Sequence, residues 1–499
     1  MLVNKIDGWF IKHSQFLKGL ICFLFSFYFL LFSYLSITKH LSLHSTYLDL
    51  GLESQVVWNT ARGRFLETSF GPQGSLISAL SFHISPISAL LSPLYWIWAD
   101  PIVLLLLQTF VLSLGGLPVY WIALKVTESP LISLVLLNSY FLYPPLQYSN
   151  LSDFHPQTLA TTIILFSFWY LYNRSFRKFY FLMFLGLLVK ENVSLVYAGF
   201  GFYLFFIMRE RRRGIFVFLV SVFYFLIAFY WVMPYFSGVS QGVLGRYEYL
   251  GKTPLAVFWN VISNPLQSFT ILLMVSKIKY LFHLLVSVGF LPLLAPGYLL
   301  IAGSEFFLNL FSAYNPQWQI KFHYTAAITP FIFIAAIFGL KKCQSLLRNT
   351  SSLRSDEVRL RRGWLDYLIS AYLILISLTW NVLHSPSPLF YKFDPSLYRV
   401  TKETKEVRRV LKRIPSDATV SAMNNLGPHL SLRRYLYNFP INFDRVDFVI
   451  IDPKMPHENF DLAQVRVDQF DKYLKRLEDN KNYRQSVNLE RLIVFERIK

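Results

Sequence analysis

The chain has 499 residues, of which 54% are hydrophobic and 18% aromatic while 15% are charged. That balance excludes an ordinary soluble enzyme and describes a polytopic membrane protein, built of helices because a helix satisfies its own backbone in lipid. The formal net charge of +19 does not point to nucleic acid, since Lys and Arg fall in short loops between apolar runs and in the C-terminal tail, where membrane topology accounts for the loop charges.

Residues 19 to 37 (GLICFLFSFYFLLFSYLSI) form an uncharged run of bilayer length. The run lacks a small-residue cleavage site and reads as an uncleaved anchor. Lys5, Lys12 and Lys18 precede it, so the positive-inside rule puts the N-terminus in the cytoplasm and the following loop, with Asp49 and Glu53, outside. A span is expected at 101 to 124, with Lys125 after it. Basic clusters at Arg174 to Lys178 and Arg209 to Arg213 follow further apolar segments and belong on the cytoplasmic side. Residues 84 to 98, carrying Pro86 and Pro93, must then be an interfacial or re-entrant helix, and residues 179 to 208 a hairpin with Lys190 and Glu191 near the outer face. Later spans are expected at 214 to 236, 277 to 296, 298 to 315, 324 to 341 and 364 to 383, with a cytoplasmic basic loop up to Arg362. The total is about eleven crossings. Cys22 and Cys343 offer no disulfide framework.

From about residue 385 polar and apolar stretches alternate. A helix is expected at 400 to 413, strands at Thr419 to Ala422, Phe448 to Ile451 and Leu492 to Glu496, and a helix near 462 to 479. Residues 1–384 thus read as a transmembrane domain and 385–499 as a small extracytoplasmic α/β domain.

The expected topology gathers the ionisable groups on the outer side: Asp49 with Glu53, His83, Asp153 with His155, Lys190 with Glu191, and Lys321 with His323. Ionisable groups at membrane depth are costly and mark candidate sites. Some have simpler uses. His83 is placed to cap the helix after it, and Asp153 ahead of Pro156 matches a helix start. Lys321 suits a snorkelling interfacial position. Lys190 and Glu191 are adjacent and cannot pair on a helix face, so each needs a partner elsewhere. A carboxylate can deprotonate an acceptor hydroxyl, while Lys and His neutralise charge on a leaving phosphate. No His-x-x-x-His spacing or Cys ligand set suggests zinc, and no Walker loop or nucleophile elbow is present. A divalent cation at the carboxylates stays open.

Six stretches carry a family resemblance: Tyr47 to Gly63 (YLDLGLESQVVWNTARG), His83 to Pro93, Asp153 to Pro156, Val189 to Asn192 (VKEN), Phe322 to Pro330 (FHYTAAITP) and Asn424 to Arg434 (NNLGPHLSLRR). On these the chain resembles a family of prokaryotic predicted membrane proteins defined as a domain of unknown function. It departs from that family at Leu48, which separates Tyr47 from Asp49, and at Asn192, where a second acid is usual. In architecture the membrane half is similar to GT-C superfamily glycosyltransferases. That resemblance implies a GT-C-like bundle, a polyprenyl-phosphate-linked sugar as donor, and a first-outer-loop carboxylate as base. Asp49 takes that role, Glu53 an assisting or metal-binding one, and Lys190, His155, His323 and Arg246 the donor phosphate. Two other classes compete: a transporter or flippase with the same charges along its path, and a non-catalytic envelope assembly protein. The segment Asn424 to Arg434, polar and basic, is expected to dock onto the membrane half.

Overall fold

The computed structural model describes residues 2–237, 242–349, 355–454 and 470–498. Among these, four helices are long and apolar enough to cross a bilayer: Ser14–Leu41, Ile102–Thr127, Arg211–Ser237 and Asp366–His384. The first has 28 residues and so spans about 42 Å, beyond the hydrocarbon thickness. Pro265–Leu272 and Val275–Val286, bent by 61° at their junction, count as a fifth if they form one broken span. Shorter helices such as Pro156–Tyr172 and Val193–Phe202 fill the interior.

Several expected features are present. Short helices Ile87–Leu91 and Leu94–Ile97 follow Pro86 and Pro93 in the stretch read as re-entrant. Phe176–Leu187 and Val193–Phe202 flank Lys190 and Glu191 as two arms of a hairpin. The expected spans at 277 to 296 and 298 to 315 are not continuous helices. Gly289 adopts φ +62°, and Pro292 and Pro296 each lack the N–H that a helix interior needs. The chain there runs through the short segments Leu291–Leu294, Pro296–Leu299 and Gly303–Leu310. Pro130–Phe141 is a helix the sequence reading passed over. Ser129 caps it, accepting a hydrogen bond from the Ile132 N–H at 3.2 Å. Its residues are buried on nearly every face, so no amphipathic period marks it. Part of the expected basic loop, residues 350–354, lies outside the described residues.

The C-terminal part holds a five-stranded sheet. With a two-stranded ribbon Glu67–Thr68 (β1) and Ile77–Ser78 (β2) in the outer loop, its strands are Val420–Ala422 (β3), Leu436–Asn438 (β4), Phe448–Ile451 (β5), Tyr483–Leu489 (β6) and Leu492–Arg497 (β7), in the order β4-β3-β5-β7-β6. β3 pairs parallel to β4 and β5, while β7 runs antiparallel to β5 and β6. Helices Lys402–Leu411 and Phe470–Glu478 accompany it. Three strands fall where alternation placed them. β4 is only three residues long, and β6 is an edge strand exposed along most of its length, so neither carried a hydrophobic signal. The part of the expected helix before Phe470 lies outside the described residues.

The sheet docks onto the loop that follows the first long helix, through the segment expected to do so. Gln55 Nε2 donates to the carbonyls of Arg433 and Arg434 at 3.1 and 3.0 Å. Arg434 grips Glu67 with two donors at 2.9 and 3.1 Å, and the Ser54 and Ser431 hydroxyls meet at 2.8 Å. The core of the sheet is completed by two residues of the membrane half, Leu43 and Tyr47, both fully buried among its strands.

Inside the bundle, helix Val193–Phe202 approaches the backbone at 301 so closely that a Cβ on Gly199 would lie 2.1 Å from the Ile301 carbonyl oxygen. Gly199→Ala is expected to destabilise the fold by about 1–3 kcal/mol through overpacking. A lower melting temperature of the purified variant in detergent is the readout; an unchanged one would show that the two segments can part.

Candidate functional site

The chain leaves its first long helix at Leu41 and makes one wide turn, Tyr47–Gly51, closed by a hydrogen bond from the Gly51 N–H to the Thr46 carbonyl at 3.1 Å. Such five-residue closures are rare and cluster at functional positions. Asp49 sits at its centre. Its Oδ2 accepts from the Thr46 hydroxyl at 2.9 Å and its Oδ1 lies 3.0 Å from His155 Nε2. The His155 ring stacks on His323 at a centroid distance of 3.6 Å, and His323 in turn packs against Tyr324 at 4.2 Å. Burial pushes the Asp49 carboxyl up, but His155 and Thr46 outweigh it and the net shift is down, so Asp49 is ionised at neutral pH.

Asp153 lies directly behind. It is not a helix cap: its backbone is left-handed, φ +62°, a region Asp tolerates. His155 occupies the cap position, without a side-chain bond to the helix. The Asp153 carboxylate turns instead toward Lys39 Nζ at 2.9 Å and the Thr46 N–H at 2.7 Å. Lys39, Asp49, Asp153, His155, Lys321 and His323 border one cavity of about 400 Å³, into which Asp49 exposes 39% of its side chain. Lys321 is exposed at the rim.

A second group adjoins the first. Glu191 accepts from the Ile84 N–H at 2.9 Å and meets His83 Nδ1 at 3.1 Å. Burial raises its carboxyl, yet His83 and Lys190 hold it down at about 2. His83 therefore serves Glu191, and the helix beyond it has no side-chain cap. Lys190 reaches Gln157 Oε1 at 3.2 Å. Both neighbours thus find separate partners. Arg246 lies over the rings of Tyr314 and Tyr324 at 4.6 and 5.7 Å, and both tyrosines line the cavity. Glu53 accepts from the Ser88 hydroxyl at 3.0 Å and lies in the fields of His155 and Lys190. Through Glu53 the two groups share one electrostatic environment.

Glu191 and Asn192 also close the polar end of a second cavity, about 560 Å³, whose other walls include Leu195, Phe225, Phe258 and Phe307. The sequence reading missed Lys39 and Thr46. A Lys at the end of a span reads as a snorkelling residue, and no local pattern tied it to Asp153. Among the described residues no group of three or more His, Cys, Asp or Glu side chains could hold a metal ion. Asp49 and Glu53 turn toward His155 and Ser88 rather than toward a common point.

The sequence profile of a family described as predicted membrane protein (DUF2079) matches residues 39–493, and the chain belongs to that family. No curated protein matches it. Among solved structures it is similar to ArnT from Cupriavidus metallidurans bound to undecaprenyl phosphate, with a TM-score of 0.50 and 11% identity over 95% of this chain and 97% of that one. The likeness is one of fold, and it agrees with the GT-C resemblance read from the sequence.

Burial raises the Glu53 carboxyl from 4.5 to about 6. A carboxyl raised on folding favours the folded state below its unfolded value. That increment is lost as the pH rises from 4.5 to about 6 and stays lost above. Glu53→Gln removes this titration. The melting temperature of the wild type should therefore fall relative to that of the variant across this window; parallel curves would place Glu53 in water.

Proposed function

We propose that the protein is a membrane glycosyltransferase that moves a sugar from a polyprenyl-phosphate donor to a cell-envelope acceptor with inversion at the anomeric carbon. One observation carries this reading: an ionised carboxylate, oriented by two donors, opens into a polar cavity beside a cluster of cations. Asp49 Oδ accepts the proton of the acceptor hydroxyl while that oxygen attacks the anomeric carbon from the face opposite the phosphate. The bond from carbon to phosphate oxygen breaks, and the leaving phosphate carries off the electron pair. Lys190 and Arg246, whose charges act on His323, are assigned to that developing charge together with His155 and His323. Glu53, whose carboxyl is raised to about 6, assists. The second, apolar cavity suits a prenyl chain. The undecaprenyl phosphate in the similar structure favours the same class of lipid.

The reading puts the protein in the cell's inner membrane, N-terminus in the cytoplasm and the sheet outside, where envelope acceptors are. Protease added to intact spheroplasts should then remove the sheet domain. Cleavage only in inverted vesicles would reverse the orientation.

Transfer of radiolabelled sugar from a polyprenyl-phosphate donor into envelope material tests the chemistry. Asp49→Asn keeps the size of the side chain but turns one acceptor oxygen into an NH2 donor and loses the proton acceptor, and should slow transfer by about 10²–10⁴-fold at equal expression. Glu53→Gln should cost less. Wild-type transfer by Asp49→Asn would end its assignment as base, and no transfer by the wild type from any polyprenyl donor would end the proposed activity.

A further inference from the structure

The turn that carries Asp49 is built as much by the C-terminal sheet as by the membrane half. At the carboxyl end of β3 the chain enters Asn424, whose carbonyl accepts from the Tyr47 N–H at 2.7 Å and whose side-chain Oδ1 accepts from the Leu48 N–H at 3.2 Å. These are the two backbone donors immediately before Asp49. The Tyr47 hydroxyl reaches into the sheet and donates to the Leu436 carbonyl at 2.8 Å. Its ring is buried in the hydrophobic core of the sheet domain. Contact between the two backbones leaves no room for a side chain. A Cβ on Gly427 would lie 2.6 Å from the Tyr47 Cβ, and one on Gly51 would lie 3.3 Å from the Pro428 nitrogen.

The place in the sheet matters. β3 is parallel to β4 on one side and to β5 on the other, so the chain reverses its direction of progress across the sheet between β3 and β5. In α/β sheets the crevice outside the carboxyl ends of the strands at such a reversal receives ligands. The loop that carries Tyr47 lies on the β4 side of this reversal, bonding Asn424 just past β3 and Leu436 at the start of β4. We infer that the sheet domain is a positioning element of the transfer site, in which Asn424 fixes the Tyr47 and Leu48 amides and thereby aims Asp49 at His155 and the acceptor. Asn424 touches neither substrate nor reacting atoms in this arrangement. It acts through the turn.

The inference rests on the reading of Asp49 as the proton acceptor, and the test separates the two. Asn424→Ala removes the acceptor for the Leu48 N–H; Asn424→Asp keeps an oxygen there. Gly427→Ala pushes the sheet away from Tyr47 without altering any polar group. Each is purified and its melting temperature recorded, so that transfer rates are compared only among folded proteins. Misplacing a reacting group by a fraction of an ångström costs on the order of 10-fold or more in rate. Asn424→Ala and Gly427→Ala should therefore lower kcat by about that factor while leaving KM for the polyprenyl-phosphate donor unchanged. The acid limb of the pH–rate profile should move, because Asp49 is held less firmly by His155, and Asn424→Asp should recover most of the loss. Should Asn424→Ala fail to fold, Gly427→Ala and Asn424→Asp carry the same comparison. Wild-type kcat and pH profile in folded Asn424→Ala and Gly427→Ala, with Asp49→Asn still inactive, would overturn the positioning role and leave the base in place. Full activity in Asp49→Asn would overturn both.

Discussion

The arrangement depends on one nearly inaccessible carboxylate. Asp153, with 3% of its side chain exposed, is shared by the end of the first long helix through Lys39 and by the loop that follows that helix through the Thr46 amide. A charge buried so deeply is tolerated only when paired and hydrogen-bonded. Each of its oxygens is committed, one to Lys39 and one to Thr46. This fixes Thr46, and Thr46 fixes Asp49 by its hydroxyl. Two residues further on, His155 takes the other oxygen of Asp49. The segment 153–155 thus supplies both the anchor behind the outer loop and the partner in front of it. The left-handed backbone at Asp153 is what lets two residues so near in sequence face different elements.

The second charged group follows the same logic with different parts. Glu191 is tied to His83 and the Ile84 amide, so the break between the hairpin helices is clamped to the turn that precedes the short helices at 87–97. Lys190 is then held beside Gln157 on the helix that starts just after His155. Carboxylates of opposite character result: Glu191, at about 2, is fully committed to its partners, whereas Glu53, near 6, is poorly compensated. Environments that push neighbouring carboxyls apart are a recurring mark of acid–base chemistry.

Much of this was legible in the chain. Bilayer-length runs marked Ser14–Leu41 and Ile102–Thr127, because hydropathy over a whole span is a strong signal. The interrupting pair Lys190 and Glu191 marked the hairpin, and three strands of the sheet followed alternation. Asp49, His155 and His323 were singled out by the expected topology together with the family resemblance, and they do meet. What failed was whatever depended on tertiary choice. Asp153 had the sequence of a helix cap, yet the field of Lys39 turned it away. The stretches at 277–296 and 298–315 had the composition of spans, but Gly289, Pro292 and Pro296 broke them. Lys39 and Thr46 were invisible because their partner lies more than 100 positions ahead, at separations of 114 and 107.

Separation in sequence predicts that the loop around Asp49 is completed late in folding. Leu48 bonds a residue 376 positions downstream, and the Tyr47 hydroxyl one 389 positions downstream. Long-range contacts of this kind repay their loop-closure entropy only once the intervening elements are in place. The spans can therefore insert and pack while the turn around Asp49 still lacks its outer wall. Until β3 and β4 form, Tyr47 has no core to enter and its amide no acceptor. A buried aromatic residue whose hydroxyl donates to the sheet ties the loop to the domain. Asp49 is in this way held through residues far downstream in the chain.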